Sequence, residues 1–321
     1  MKKHGYGKSK KKREIYGISQ QKLALAAGIT RPYLSDIETG KAHPSEALQE
    51  AISEALERFN PDAPLEMLFD YVRIRFPTTD VQQVVENILQ LKLSYFLHED
   101  YGFYSYSEHY ALGDIFVLCS HELDKGVLVE LKGRGCRQFE SYLLAQQRSW
   151  YEFFMDVLVA GGVMKRLDLA INDKTGILNI PVLTEKCQQE ECISVFRSFK
   201  SYRSGELVRK EEKECMGNTL YIGSLQSEVY FCIYEKDYEQ YKKNDIPIED
   251  AEVKNRFEIR LKNERAYYAV RDLLVYDNPE HTAFKIINRY IRFVDKDDSK
   301  PRSDWKLNEE WAWFIGNNRE R

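Results

Sequence analysis

The chain has 321 residues, of which 43% are hydrophobic and 31% charged, and a formal net charge of −4. That length accommodates a small domain beside one of roughly 200 to 250 residues, and the composition excludes a disordered chain. The acidic balance excludes a globally basic nucleic-acid binder, so any phosphate contact has to come from local positive patches. No apolar stretch is long enough to cross a membrane and the six cysteines form no CxxC pair, which predicts reduced thiols in a cytoplasmic protein without membrane insertion. Residues 1–13 hold Lys2, Lys3, Lys8, Lys10, Lys11, Lys12 and Arg13 with no apolar face, the pattern of a flexible basic arm suited to phosphate contact or to solubility alone.

Helical spacing begins at Ser19. Ser19 caps a first helix with Leu23, Ala26 and Ala27 as its apolar positions, and Gly28 ends it. Thr30 caps a second helix, Pro32 fits its first turn, and Tyr33, Leu34 and Ile37 form the expected buried stripe. A third amphipathic helix runs from Ser45 to Phe59 on Leu48, Ile52, Ala55 and Leu56. The run SQQKLALAAGITRPYLSDIETGKAHPS resembles the core of phage-repressor helix-turn-helix domains. The resemblance implies a 14–60 DNA-binding domain in which Thr30, Arg31, Tyr33, Ser35 and Asp36, with Gln20 and Gln21, contact duplex DNA. A three-helix bundle used for protein contact is the other reading of the same pattern.

Two prolines within residues 60–64 mark a boundary, and strands then alternate with helices over residues 65–321, an α+β domain built on a mostly antiparallel sheet. Strands are expected at Met67–Phe76, Asp114–Cys119, Val127–Leu131, Met164–Ile171, Thr219–Gly223, Val229–Tyr234 and Arg256–Lys262. Helices are expected near Val81–Leu91, Arg148–Ala160, Thr184–Glu191 and Asn263–Tyr276. No internal repeat stands out beyond a loose similarity of strand units.

Strand side chains alternate between faces, so each strand sorts into an apolar and a polar set. Leu167, Leu169 and Ile171 separate from Arg166 and Asp168; Phe257, Ile259 and Leu261 separate from Arg256, Glu258, Arg260 and Lys262; Val127 and Val129 separate from Leu128 and Glu130; Val229, Phe231 and Ile233 separate from Tyr230, Cys232 and Tyr234. If these strands adjoin, Glu130, Asp168 and Glu258 share a surface with Arg166, Arg260, Lys236 and Tyr234. Clustered carboxylates point to an oxygen-loving divalent metal, Mg²⁺ or Mn²⁺, and a tyrosine among cations can attack phosphorus. The bland reading is a solvated face of cross-strand ion pairs, and most of the 21 tyrosines have to be packing residues.

The runs VLVELKGRGCRQFE, KRLDLAIND, NTLYIGSLQSEVYFCIYEK and NRFEIRLKNERA resemble, in this order, rolling-circle replication initiators of small Gram-positive plasmids. They are still more similar to the relaxases of integrative and conjugative elements, over about residues 65 to 275. The resemblance implies a metal-dependent nickase that cuts one strand at an origin of transfer or replication through a 5′-phosphotyrosine. The tyrosine of the IYxK pattern falls on Tyr234, with Lys236 completing it, and the acidic positions fall on Glu130, Asp168 and Glu258. Two positions depart from the pattern. Cys232 stands where a basic residue is usual, so a phosphate clamp is missing or supplied by Arg260; the second aspartate of the Asp168 strand is replaced by Asn172, followed by Asp173. The implied partners are origin DNA, double-stranded at the helix-turn-helix and single-stranded at the nick, with room for a homodimer and for a coupling or accessory relaxosome protein. The competing class is a non-enzymatic helix-turn-helix regulator that keeps the fold. Trp305, Trp311 and Trp313 are expected on a short C-terminal helix that packs.

Overall fold

In the computed structural model, which describes residues 6–57, 59–60, 63–122, 124–205 and 215–316, four helices come first. They are α1 (Tyr6–Ile15), α2 (Gln20–Ala26), α3 (Arg31–Glu38) and α4 (Glu46–Glu57). Ser19 and Thr30 accept from the backbone N–H of Lys22 and Tyr33 as N-caps, and Leu23, Leu34, Ile37, Ile52 and Leu56 close a small core. Two expectations change here. Residues 6–13 of the supposed arm are helical, because Arg13 is buried: its guanidinium holds Glu38 at 2.6 Å and donates to the Ile18 carbonyl at 2.9 Å. Residues 1–5 lie outside the described residues. Tyr33 is 38% exposed and does not join the buried stripe, since Leu34 and Ile37 already fill the gap between helices.

The larger part holds β1 (Leu65–Phe76), α5 (Val81–Gln83), β2 (Leu97–Glu99), β3 (Glu108–Leu112), β4 (Ile115–Cys119), β5 (Val127–Lys132), α6 (Arg134–Ala145), α7 (Trp150–Val159), β6 (Val163–Asp173) and α8 (Ile180–Gln188). There follow β7 (Cys192–Ser194), β8 (Phe199–Gly205), β9 (Cys215–Ile222), β10 (Val229–Glu235), α9 (Lys236–Asn244), β11 (Asn255–Lys262), α10 (Asn263–Tyr276), α11 (Pro279–Tyr290), β12 (Ile291–Asp295), β13 (Lys306–Leu307) and α12 (Glu309–Ile315). Ten strands make one antiparallel sheet in the order β2-β3-β4-β5-β1-β6-β11-β10-β9-β8. The order contains a duplication: in each half the last strand, β5 or β11, returns beside the first, β1 or β6, and the halves join at β1–β6. The loose similarity of strand units is thus a topological repeat, unreadable from sequence because the two halves fill equivalent places with different side chains.

Helices α6, α7, α10 and α12 bury one face. Trp150 and Phe154 of α7 pack on Phe69, Phe139 of α6 packs on Trp150 and Phe153, and together they bury the face carrying Val72, Ile74, Leu167, Leu169, Phe231 and Ile259. At the C-terminus Trp311 and Phe314 of α12 pack on Phe257 and Phe293, while Trp313 is 46% exposed and Trp305 lies before the helix. The helix expected over Val81–Leu91 is one α turn continuing as a π turn, Val84–Ile88. Among the described residues no helix is long and apolar enough to cross a membrane.

Asp173, at the end of β6, belongs to the scaffold. It is fully buried and accepts from the backbone N–H of Thr175, Gly176 and Leu178 and from Asn255 Nδ2, all at 2.9 to 3.0 Å. Asp173→Ala removes the acceptor of these donors and of the Thr175 hydroxyl, and we expect it to lower stability by roughly 2 to 4 kcal/mol, read as a shifted denaturation midpoint at unchanged slope.

Candidate active site

The opposite face of the sheet carries the polar residues, and alternation alone puts them there. Cross-strand register sets Cys232 opposite Glu258, Arg260 opposite Asp168, and Arg73 opposite both Glu130 and Arg166. Glu130, Asp168, Glu258, Arg166, Arg260 and Tyr234 therefore share one surface, and Lys236, first residue of α9, reaches back over it.

At Tyr234 the phenol donates to Glu258 Oε1 at 2.9 Å, and Lys236 Nζ stands 3.4 Å from the phenol oxygen. Lys236 also pairs closely with Glu239. The second oxygen of Glu258 is held by Arg260 through Nε at 2.9 Å and Nη2 at 2.6 Å. Burial, and then the charge of Glu258, push the Tyr234 phenol well above its ordinary pKa, with Arg256 opposing. The resting site thus holds a protonated tyrosine hydrogen-bonded to a carboxylate. Tyr230 is buried, with Arg260 donating to its hydroxyl, and Tyr221 lies against Cys232 with its pKa pushed up to about 12 by burial; among the described residues neither hydroxyl has a carboxylate acceptor.

Asp168 is bound by Arg166 at 2.6 and 2.8 Å and approached by Arg260 at 3.8 Å. Burial still pushes its carboxyl up to about 6. Glu130 is also buried, which alone would raise its pKa, but hydrogen bonds from Tyr71, Lys132 and Arg73 hold it below the usual value. Arg73 Nη2 lies 2.6 Å from Oε1, Lys132 Nζ lies 2.9 Å from Oε2, and Tyr71 makes a close contact.

This arrangement does not fit a three-carboxylate metal centre. All six oxygens of Glu130, Asp168 and Glu258 already meet guanidinium, ammonium or phenol donors, and the three do not converge. A divalent ion between Asp168 and Glu258 has to displace Arg260. Among the described residues three ligand atoms converge only at His98, Asp100 and Glu108. These lie on and beside β2 and β3, and β3 is six strand spacings from β10, about 29 Å.

Sequence reasoning left out Asp70, Tyr71, Arg73 and Arg256 as site residues. A bulge makes Asp70 an extra residue in β1, between the pairs Phe69–Leu169 and Tyr71–Asp168, and brings it to Arg256 Nη1 at 3.0 Å. Arg256 also donates to Asn172 Oδ1 at 2.7 Å, which uses the amide standing at the departed aspartate position. The alternation of Tyr71 and Arg73 with Val72 and Ile74 was a usable signal; the bulge had none.

Of the expected duplex contacts, Arg31 and Thr30 are exposed, Tyr33 is exposed, and Gln21 and Ser35 are half-buried. Gln20 instead donates to Glu38 at 2.7 Å, bracing the Arg13 pair. Gln20, Gln21 and Arg31 line a cleft whose other wall is Ser141, Leu144 and Gln147 at the end of α6.

Three families match the chain: "Helix-turn-helix" over residues 10–60, "Rolling Circle replication initiation protein N-terminal domain" over 66–156, and "Replication initiation factor" over 162–321. The chain is 43% identical over 256 residues to a Bacillus subtilis (strain 168) protein that carries the name of a DNA relaxase, NicK, covering 79% of this chain and 72% of that protein. It is also similar to the solved rolling-circle replication initiator of Geobacillus stearothermophilus, with a TM-score of 0.67 and 27% identity over 79% of this chain and 97% of the other.

Proposed function

The chain belongs to the family of rolling-circle replication initiation factors and DNA relaxases, and from that premise we propose that it nicks one DNA strand at an origin of transfer or replication with Tyr234 as the nucleophile. The observation that carries this reading is the pairing of the Tyr234 hydroxyl with Glu258 at 2.9 Å and Lys236 at 3.4 Å on an arginine-lined polar face. Because the phenol rests protonated, its proton has to leave as Oη attacks phosphorus, and Glu258 Oε1 is placed to take it. The Oη–P bond forms, the P–O3′ bond breaks, and the 3′ oxygen leaves as a hydroxyl after taking up a proton. One phosphodiester replaces another, so the 5′-phosphotyrosine keeps the energy needed to rejoin the strand and no nucleotide cofactor enters.

Lys236, Arg256 and Arg260 supply positive charge beside the reacting phosphate, where it counts most because burial lowers screening. The helix-turn-helix reads duplex origin DNA, and the sheet face takes the unpaired strand. Incubating the protein with single-stranded origin DNA and sequencing the DNA-linked peptide tests this: the expected adduct is on the peptide holding Tyr234, and an adduct on another tyrosine overturns the assignment. A separate role for the first domain predicts that Arg31→Ala, at an exposed first residue of α3, weakens duplex origin binding about tenfold. Nicking of single strands should stay unchanged, read by competition binding and single-strand cleavage side by side.

A further inference from the structure

Beyond Glu130 the polar face is crossed by residues 101–106, Tyr-Gly-Phe-Tyr-Ser-Tyr, whose rings the nicking step does not use. Tyr101 is 57% exposed, Phe103 45% and Tyr104 51%. Three bared rings on one short loop are unusual on a soluble protein and mark a contact surface. The loop is built to hold them. A Cβ on Gly102 would come within 2.3 Å of the Tyr106 carbonyl, and Tyr104 and Ser105 both take positive φ, 57° and 65°, a conformation that costs side-chain-bearing residues about 1 kcal/mol or more. Its anchors are His109 Nδ1 on the Tyr101 carbonyl at 2.6 Å, Tyr106 Oη on the Lys125 carbonyl at 3.0 Å and Lys125 Nζ on the Ser105 carbonyl at 3.1 Å. Underneath, Phe103 packs on His109 and on Phe116, which faces Glu130 across β4 and β5.

Cations join this loop to the nucleophile. Arg73 lies 4.3 Å above the Tyr104 ring and Lys132 lies 6.0 Å from it, while the Tyr104 hydroxyl reaches Glu130 at 3.2 Å. From β5 to β10 the sheet order passes β1, β6 and β11, which present Arg73, Arg166 and Arg260 in turn over about 19 Å. Exposed rings at one end, guanidinium groups along the way and Tyr234 at the other end match an unpaired strand, whose bases offer flat faces and whose phosphates offer charge.

We propose that residues 101–104 are a stacking platform for unpaired bases of the strand that reaches Tyr234, an inference that rests on the reading of Tyr234 as the nicking residue. Stacking is tolerant of sequence, so the platform holds strand melted near the nick and leaves sequence choice to the helix-turn-helix. The test uses the full chain and the double variant Tyr101→Leu/Phe103→Leu, which keeps apolar bulk over His109 and Phe116 and removes the aromatic faces. With a mixed-sequence single-stranded 30-nucleotide probe, affinity should fall at least about tenfold, while duplex origin affinity changes less than twofold. Unchanged single-strand affinity in a variant with wild-type melting behaviour overturns the platform. Independently of how that variant folds, ultraviolet cross-linking of a bromouracil-substituted probe to the wild-type chain should label the peptide holding residues 101–104; labelling confined to other peptides overturns it. Scoring the Tyr234 adduct on single-stranded origin DNA in parallel wild-type samples separates the two ideas. An adduct with ring-independent binding rejects the platform alone, and ring-dependent binding with an adduct on another tyrosine supports the platform and rejects the nucleophile.

Discussion

Tyr234→Phe should eliminate the covalent protein–DNA adduct and lower nicking by on the order of 10⁴-fold, with single-strand binding retained. The substitution removes one oxygen and keeps the ring over which Lys236 Nζ lies at 5.5 Å. Glu258 keeps Arg260, so no charge is left uncompensated, and the guanidinium groups that attract phosphate stay in place. The competing nucleophile is Tyr71, which also pairs with a carboxylate, Glu130. Its ring is only 8% exposed and lies 4.0 Å from the Arg166 guanidinium and 5.3 Å from that of Arg73, so two cations have to move before phosphorus can approach. Adduct formation by gel shift, followed by mass spectrometry of the linked peptide, checks the prediction. Undiminished nicking with the DNA on a Tyr71 peptide would replace one tyrosine by the other.

Much of this site was legible because helices bury one sheet face and leave the other polar. Where helices bury a face, every second residue has to be apolar, so Leu167–Leu169–Ile171 and Phe257–Ile259–Leu261 fixed where Arg166, Asp168, Glu258 and Arg260 point. The same logic fails where no such contrast exists. The edge strands β2 and β8 bury little and carry no clear alternation, and α9 is polar almost throughout. In α6 a glycine reads as a stop, yet Gly135 sits inside the helix because a Cβ there would come within 2.3 Å of the Asp114 carbonyl. The ion pairs were also out of reach. Alternation places carboxylates and guanidinium groups on one face without saying that Arg73, Arg166 and Arg260 pair with the carboxylates, so what was expected as a carboxylate cluster is a ladder of ion pairs.

Glu258 separates a proton acceptor from a mere holder of Arg260, and Glu258→Gln tells them apart. The amide preserves shape and can still accept from Arg260, which also has Asp168 at 3.8 Å to fall back on, so the fold should hold. What disappears is the base 2.9 Å from the phenol. Adduct formation should therefore slow by about 10² to 10⁴-fold. Single-strand affinity should stay equal or rise, since one negative charge leaves a phosphate-binding face. The residual rate has a further signature: a phenol held far above its ordinary pKa and deprived of its acceptor has to ionise to solvent, so the variant's rate should climb tenfold per pH unit where the wild-type rate has levelled. Single-turnover adduct rates across a pH series, with binding measured alongside, decide the matter. Equal losses of rate and affinity, with parallel pH profiles, would assign Glu258 to positioning Arg260 and would move the proton acceptor elsewhere.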